Sequence, residues 1–110
     1  MQAEKVIANG TASKPAQLVQ ENYGGELYEY YPLGEYVVAA PGVCGGRPTF
    51  KYTRLEVSMV LALLGNGETI EEIVEDYALS KLAPEMIREA IRLAGQSLTE
   101  SSRAFQMKVA

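Results

Sequence analysis

Histidine is absent from this 110-residue chain, and cysteine occurs once, as Cys44. Without histidine, neither a Ser-His nor a Cys-His nucleophilic pair can form, and most transition-metal sites lose their commonest ligand. A single cysteine cannot close an internal disulfide, which fits a reducing cytoplasm. Long hydrophobic runs are missing as well. The most apolar stretch, residues 57–64, is far shorter than the roughly 20 residues that cross a bilayer, so no membrane partner is expected. Met1, Gln2, Ala3, Glu4 and Lys5 do not lead from a basic segment into an apolar one, so no signal peptide is expected.

What is present is enough for one folded domain. The chain is 47% hydrophobic with a net charge of −4, values that fit a globular protein rather than a disordered one. Charge is segmented. Residues 36–55 hold Arg47, Lys51 and Arg54 and no acid, whereas residues 56–94 hold eight acids against Lys81, Arg88 and Arg92. Duplex-binding domains usually present a basic face. Here the acidic helical part confines any DNA contact to a narrow basic strip.

Three regions follow from the texture of the chain. Residues 1–35 form an N-terminal extension that contains part of a β-hairpin, residues 36–94 a domain with strands over 36–55 and helices over 56–94, and residues 95–110 a tail. Residues 1–22 are poor in order signals and read as a mobile or loosely docked arm, with one turn of helix at most over 16–20. Two β-prone runs, 26–31 and 35–40, flank Pro32, Leu33 and Gly34 and predict a hairpin; a third strand is expected over 49–55.

The helical half is more strongly patterned. Residues 56–64 carry apolar side chains on nearly every side and stop at Gly65, Asn66 and Gly67. A helix apolar all round must be buried all round, so in a small domain a subunit partner is expected to cover part of it. Thr69 and Glu72 form a capping-box pattern, in which each side chain satisfies the other's exposed backbone N–H. Ile70, Ile73, Val74 and Tyr77 then follow as one core-facing stripe. Pro84 suits the first position of a third helix because its missing N–H loses nothing there. Ile87, Ala90, Ile91 and Ala94 make its inner stripe, Glu85, Arg88, Glu89 and Arg92 face out, and Gly95 is expected to end it. Leu98 and Phe105 of the tail are expected to tuck back.

Several residues are candidates for binding, each with a plainer role beside it. Arg47, Lys51 and Arg54 could hold phosphates, with Thr53 and Arg54 reaching a groove; the favoured role for Arg54 is an ion pair with an acid of the neighbouring helices. In a regular strand, alternation would place Arg47 and Lys51 on one face and Arg54 on the other. Arg88 and Arg92 could meet DNA, or form a solvated face balanced by Glu85 and Glu89. Four of the seven tyrosines lie between Tyr23 and Tyr31. They could stack bases as in a single-strand binder, but residues 1–35 hold five acids and two bases, which favours packing or an interface. Tyr28, Tyr30, Tyr31 and Tyr36, with Val57 and Leu61 of the apolar helix, are therefore the candidate partner interface. Glu71, Glu72, Glu75 and Asp76 could attract a hard cation, yet solvated helices look the same, and no metal or cofactor is expected. Gly42, Gly45 and Gly46 lack the Gly-Lys-Ser/Thr of a phosphate loop. No nucleophile–base pair stands out, so no catalytic residue is assigned and an enzyme is the last choice.

A set of motifs carries a resemblance. Gly45, Gly46, Arg47 and Pro48 make a Gly-Gly-x-Pro turn; Thr53, Arg54 and Leu55 close the strand; Gly67 follows the first helix. The acid-rich Glu71, Glu72, Ile73, Val74, Glu75, Asp76, Tyr77 comes next, and then Leu82, Ala83, Pro84, Glu85, Met86, Ile87, Arg88, Glu89, Ala90. This order resembles the domain-of-unknown-function 433 family, small prokaryotic domains grouped with helix-turn-helix proteins. The resemblance implies an α+β fold in which a β-hairpin and short strands precede a three-helix, homeodomain-like helix-turn-helix domain. It also implies a VapB-type antitoxin role: binding a PIN-like nuclease toxin and its own operator as double-stranded DNA, from a homodimer. The alternatives are a DNA-binding transcriptional regulator without a toxin and a structural dimerisation module. Two residues depart from the family pattern. Tyr52 replaces a glycine, which predicts a straighter bend there, and Ala83 replaces a Ser or Thr cap, a loss of about 1 kcal/mol at the third helix.

Overall fold

A computed structural model of the chain describes residues 17–103, 105 and 106. An antiparallel four-stranded sheet leads into three helices, an α+β architecture. Strands β1 (Val19–Tyr23), β2 (Glu26–Pro32), β3 (Val37–Ala39) and β4 (Thr49–Phe50) lie side by side in chain order. Helices α1 (Val57–Gly65), α2 (Ile70–Asp76) and α3 (Pro84–Ser101) follow.

The first strand corrects an expectation. From Val19 on, the supposed mobile arm is β1, paired with β2 in the register Val19 to Tyr30 and Tyr23 to Glu26; the earlier part of that arm, residues 1–16, lies outside the described residues. Gly24 and Gly25 make the turn with φ of 64° and 85°. Two left-handed residues in a two-residue loop give the twist that antiparallel strands need, and glycine adopts them without strain. The β2–β3 hairpin closes where the Pro32, Leu33 and Gly34 pattern places it, with the Leu33 and Gly34 N–H groups both donating to the Val37 carbonyl at 2.9 and 3.0 Å.

The third predicted strand is much shorter than its β-prone sequence. After Phe50 the chain turns through residues 51–53. The Thr53 hydroxyl donates to the Phe50 carbonyl at 2.7 Å and accepts the Leu55 N–H at 3.0 Å. The Lys51 N–H donates to the Tyr36 carbonyl at 2.8 Å. Tyr52 takes the left-handed conformation, φ 68°, that suits glycine. The bend therefore persists despite the missing glycine, contrary to the straighter path expected.

The sheet is covered on two sides because adjacent residues point opposite ways. Val37 and Phe50 join Leu55, Val57, Val60, Ile73, Leu82, Ile87 and Ala90 in the main core under the helices. Val38 joins Tyr30 and Ala40 in a second cluster, with Val19, Tyr28 and Val43 packed against it. The capping box of α2 forms in full: Glu72 N–H to the Thr69 hydroxyl at 3.0 Å, and Thr69 N–H to the Glu72 carboxylate at 2.9 Å. Pro84 opens α3, and Ala83 before it has no side-chain cap; its N–H points at the Met86 sulfur, 3.3 Å away.

Helix α3 departs from its sequence pattern in three ways. It runs through Gly95 to Ser101, since an interior glycine costs only about 1 kcal/mol and does not by itself stop a helix. Its buried stripe is rotated: Ile87 and Ala90 are buried, but Ile91 is 44% exposed and Ala94 is exposed too. Leu98 is 73% exposed and Phe105 also faces solvent, so neither tucks back.

The rotation is explained by Glu89, which faces the sheet instead of solvent. This buried carboxylate accepts the N–H groups of Glu35 at 2.7 Å, Tyr36 at 2.7 Å and Val37 at 2.9 Å. A buried carboxylate is tolerated only when its oxygens are so satisfied. Gly34 leaves room for it: a Cβ there would lie 2.7 Å from the Glu89 carboxylate carbon.

Candidate functional site

Two surfaces stand out, and both draw residues from the segment that Glu89 holds: Glu35 and Tyr36 line one, Leu33 and Val37 the other. The first is a cleft of about 640 Å³ between the residue 51–53 turn and the short helix Ala78–Ser80 that precedes α3. Lys51, Arg54 and Lys81 line it, together with Tyr23, Tyr36, Tyr52, Thr53, Leu79 and Met86, and Glu35 is the acid among them. Two of its residues are non-glycine residues with left-handed backbone, Tyr52 at φ 68° and Lys81 at φ 57°. Such strain persists only where surrounding contacts hold it.

For Tyr52 those contacts come from the β1–β2 hairpin. Its ring stacks on Tyr23, centroids 4.3 Å apart and planes 11° apart, with Tyr28 tilted against it at 5.2 Å. Its N–H donates to the Tyr28 hydroxyl at 3.0 Å, and its own hydroxyl donates to Glu21 at 2.7 Å. The Tyr30 hydroxyl donates to the other Glu21 oxygen at 2.7 Å. Stabilised first by the Tyr52 hydroxyl and then by Tyr30, the Glu21 carboxylate titrates below its ordinary range, and Tyr52 correspondingly above its own. Lys51 lies over the Tyr30 ring at 4.8 Å and the Tyr52 ring at 5.2 Å, and 3.9 Å from Glu21. The Tyr30 hydroxyl, then the tyrosine rings and Glu21, hold its ammonium above the usual range.

The structure sorts the candidate phosphate-binding residues differently from strand alternation. Because the strand stops at Phe50, Lys51 and Arg54 share the cleft, whereas Arg47 is committed elsewhere. Arg47 forms a two-pronged pair with Glu56 at 3.0 and 2.9 Å, which holds Glu56 below and Arg47 above their ordinary ranges. Arg54 makes no ion pair among the described residues, contrary to the favoured strand-to-helix pair. The Thr53 hydroxyl is already used by the turn. Arg88 and Arg92 do not line the cleft. Arg92 reaches Glu89 only at 4.0 Å, and Arg88 has no ion pair among the described residues.

The second surface is an apolar groove of about 620 Å³ between α1 and α3. Val57, Ser58 and Leu61 form one wall; Ala90, Leu93, Ala94 and Ser97 form the other; Leu33, Val37 and Pro48 complete it, and Gln96 and Glu100 stand at one end. The candidate interface residues are dispersed relative to it. Val57 and Leu61 line the groove, Tyr36 lines the cleft, Tyr31 is exposed on β2, Tyr28 is half-buried and Tyr30 is buried in the second core cluster. On α2, Glu72, Glu75 and Asp76 gather with Glu68 as an acidic face. Among the described residues, no group of three or more His, Cys, Asp or Glu side chains is placed to hold a metal ion. No helix among them is long and apolar enough to cross a membrane.

Tyr23, one of the tyrosines the sequence offers for stacking, lines the cleft, and so do Leu79 and Lys81, which no local signal in the sequence marks. Residues 37–94 match the family model described as "Protein of unknown function (DUF433)", so the chain belongs to that family. No curated protein and no solved structure matches the chain.

Proposed function

We propose that this member of the DUF433 family is a non-enzymatic, antitoxin-like protein that seats a protein partner across the α1–α3 groove. The partner class is a PIN-like nuclease toxin, as the family resemblance suggests. The observation that supports it is incomplete cover on α1. This helix is apolar on nearly every side, yet only Val57 and Val60 are buried; Leu61, which lines the groove, is half-buried, as are Leu63 and Leu64 outside it, and Met59 and Ala62, also outside it, are exposed. Apolar surface of that kind gains stability when a partner removes it from water. The acidic face of α2 adds complementarity to a nuclease's basic substrate channel and would speed encounter.

A second reading, that α2 and α3 act as a helix-turn-helix pair on operator DNA, draws on Arg88, which lacks an ion pair among the described residues. A homodimer covering the same groove is compatible with either role.

Ser58 and Ser97 are exposed and line opposite walls of the groove. Arginine at either position obstructs it with little cost to folding. Co-expression with a PIN-like nuclease from the same host should rescue growth with the wild-type chain and fail with Ser58→Arg or Ser97→Arg. Rescue by both variants would move the partner off the groove, and no rescue by the wild type would remove the antitoxin reading.

A further inference from the structure

Arg54 and Lys81 have no carboxylate within salt-bridge distance among the described residues, and both line the aromatic cleft. We infer that this cleft is a seat for single-stranded nucleic acid, separate from the groove of the proposed function and from any duplex contact through Arg88 and Arg92. The chain is acidic overall, so two cations that share one concavity and have no carboxylate partner among the described residues are a local reversal of charge. They suit a ligand bearing negative charge at more than one point.

The tyrosines specify the rest of its chemistry. Tyr23 is 53% exposed and already forms one layer of a parallel stack with Tyr52. An unpaired base adds to such a stack as the next layer, whereas bases inside a duplex hide their faces. A volume of about 640 Å³ accepts individual nucleotides rather than a double helix. Leu79, 100% exposed at the rim, offers a further apolar contact. The platform is fixed in advance: Tyr52 is clamped by Glu21, Tyr23 and Tyr28, so binding need not order it. Glu35 in the lining and Glu21 beside Lys51 oppose an anion close to them. They leave Arg54 and Lys81 as the phosphate partners and the Tyr23 face as the stacking partner.

The test is fluorescence anisotropy of the full chain with a labelled oligothymidylate of about ten nucleotides. A duplex of equal length and free thymidine monophosphate as competitor are measured alongside. The single strand should bind, more tightly than the duplex, and weaken about sevenfold between about 50 and 200 mM salt, as two phosphate contacts require. Arg54→Gln with Lys81→Asn (asparagine tolerates the left-handed backbone at 81) should weaken binding about tenfold or more and flatten the salt dependence by about 0.7 per lost contact. Tyr23→Leu should weaken it about fivefold or more, and Arg88→Gln with Arg92→Gln should leave it unchanged. Circular dichroism of each variant confirms that it is folded. No binding at low salt, preference for the duplex, loss through Arg88 and Arg92 instead, or full competition by the free nucleotide would each overturn the inference. None of these outcomes bears on the groove variants, which are read by growth rescue.

Discussion

The sheet half and the helical half of this small protein are held together by different means. The helices bury aliphatic side chains at helical spacing: Val57 and Val60 from α1, Ile73 from α2, Ile87 and Ala90 from α3. The sheet half leans on polar anchors, each fixing a bend. Glu89 secures the β2–β3 turn through three backbone N–H groups, Glu21 secures Tyr52 through its hydroxyl, and Thr53 secures the turn after β4. Apolar stripes tolerate approximate geometry, whereas a buried carboxylate without its donors is costly. The anchored half is where both candidate surfaces acquire their edges, Leu33 for the groove and Tyr36 and Tyr52 for the cleft.

Removing one anchor and one stripe residue puts the contrast to a direct test. Glu89→Ala strips three N–H groups of their acceptor and should cost about 3–5 kcal/mol. Ile73→Ala, at a fully buried site, should cost about 2–5 kcal/mol. The two should differ in where they loosen the fold. Amide hydrogen exchange should accelerate selectively at Glu35, Tyr36 and Val37 in the Glu89 variant, and across the helices in the other. Equal, uniform acceleration in both would show a single undivided core.

A smaller effect is expected at Gly34. Its Cβ would meet the Glu89 carboxylate at 2.7–2.8 Å, and because that carboxylate is tied by three hydrogen bonds it cannot swing away. Gly34→Ala should therefore cost about 1–3 kcal/mol in thermal or denaturant unfolding, and much less in a Glu89→Ala background. A cost that is the same in both backgrounds would detach the glycine from the anchor.

The legibility of the chain divides along the same line. Thr69 with Glu72 and Pro84 announce helix starts through local chemistry, and the Ile70, Ile73, Val74 and Tyr77 period fixes a buried face; all are visible in the structure. Helical periodicity puts Glu89 among the outward charges because it cannot register a loop arriving from residues 35–37, more than fifty positions away. The bend at Tyr52 was equally hidden: β-propensity reads Tyr and Thr as strand, but the hairpin clamp outweighs the left-handed strain. The cleft is legible only in part: Lys51, Thr53 and Arg54 are candidates from the sequence, but Lys81 joins them from an inter-helix connection that no local pattern links to the turn. The all-apolar sequence of α1 signals a helix that needs cover, but its spacing alone does not show which of its faces the sheet and α3 leave open.

The smallest and most local effect is set by pH. Glu21 titrates below its ordinary range, chiefly through the Tyr52 hydroxyl. A depressed carboxylate contributes stability above its unfolded pKa and loses it as pH falls through the folded one. The Tyr52 clamp should hold at neutral pH and release in acid below the usual carboxylate range. Glu21→Gln should abolish that acid transition in the Tyr52 ring signals by NMR while leaving the helices unchanged. A transition that survives the substitution would assign it to another group.

The measurement that bears most directly on the partner-binding role is purification of the tagged chain from its native host beside Ser58→Arg and Ser97→Arg, with composition read by mass spectrometry. The expected result is a PIN-like nuclease in near-equal amount with the wild type and its loss from both variants, each still folded. The wild-type chain recovered without such a nuclease, or a complex that both variants retain, would contradict a partner seated between α1 and α3.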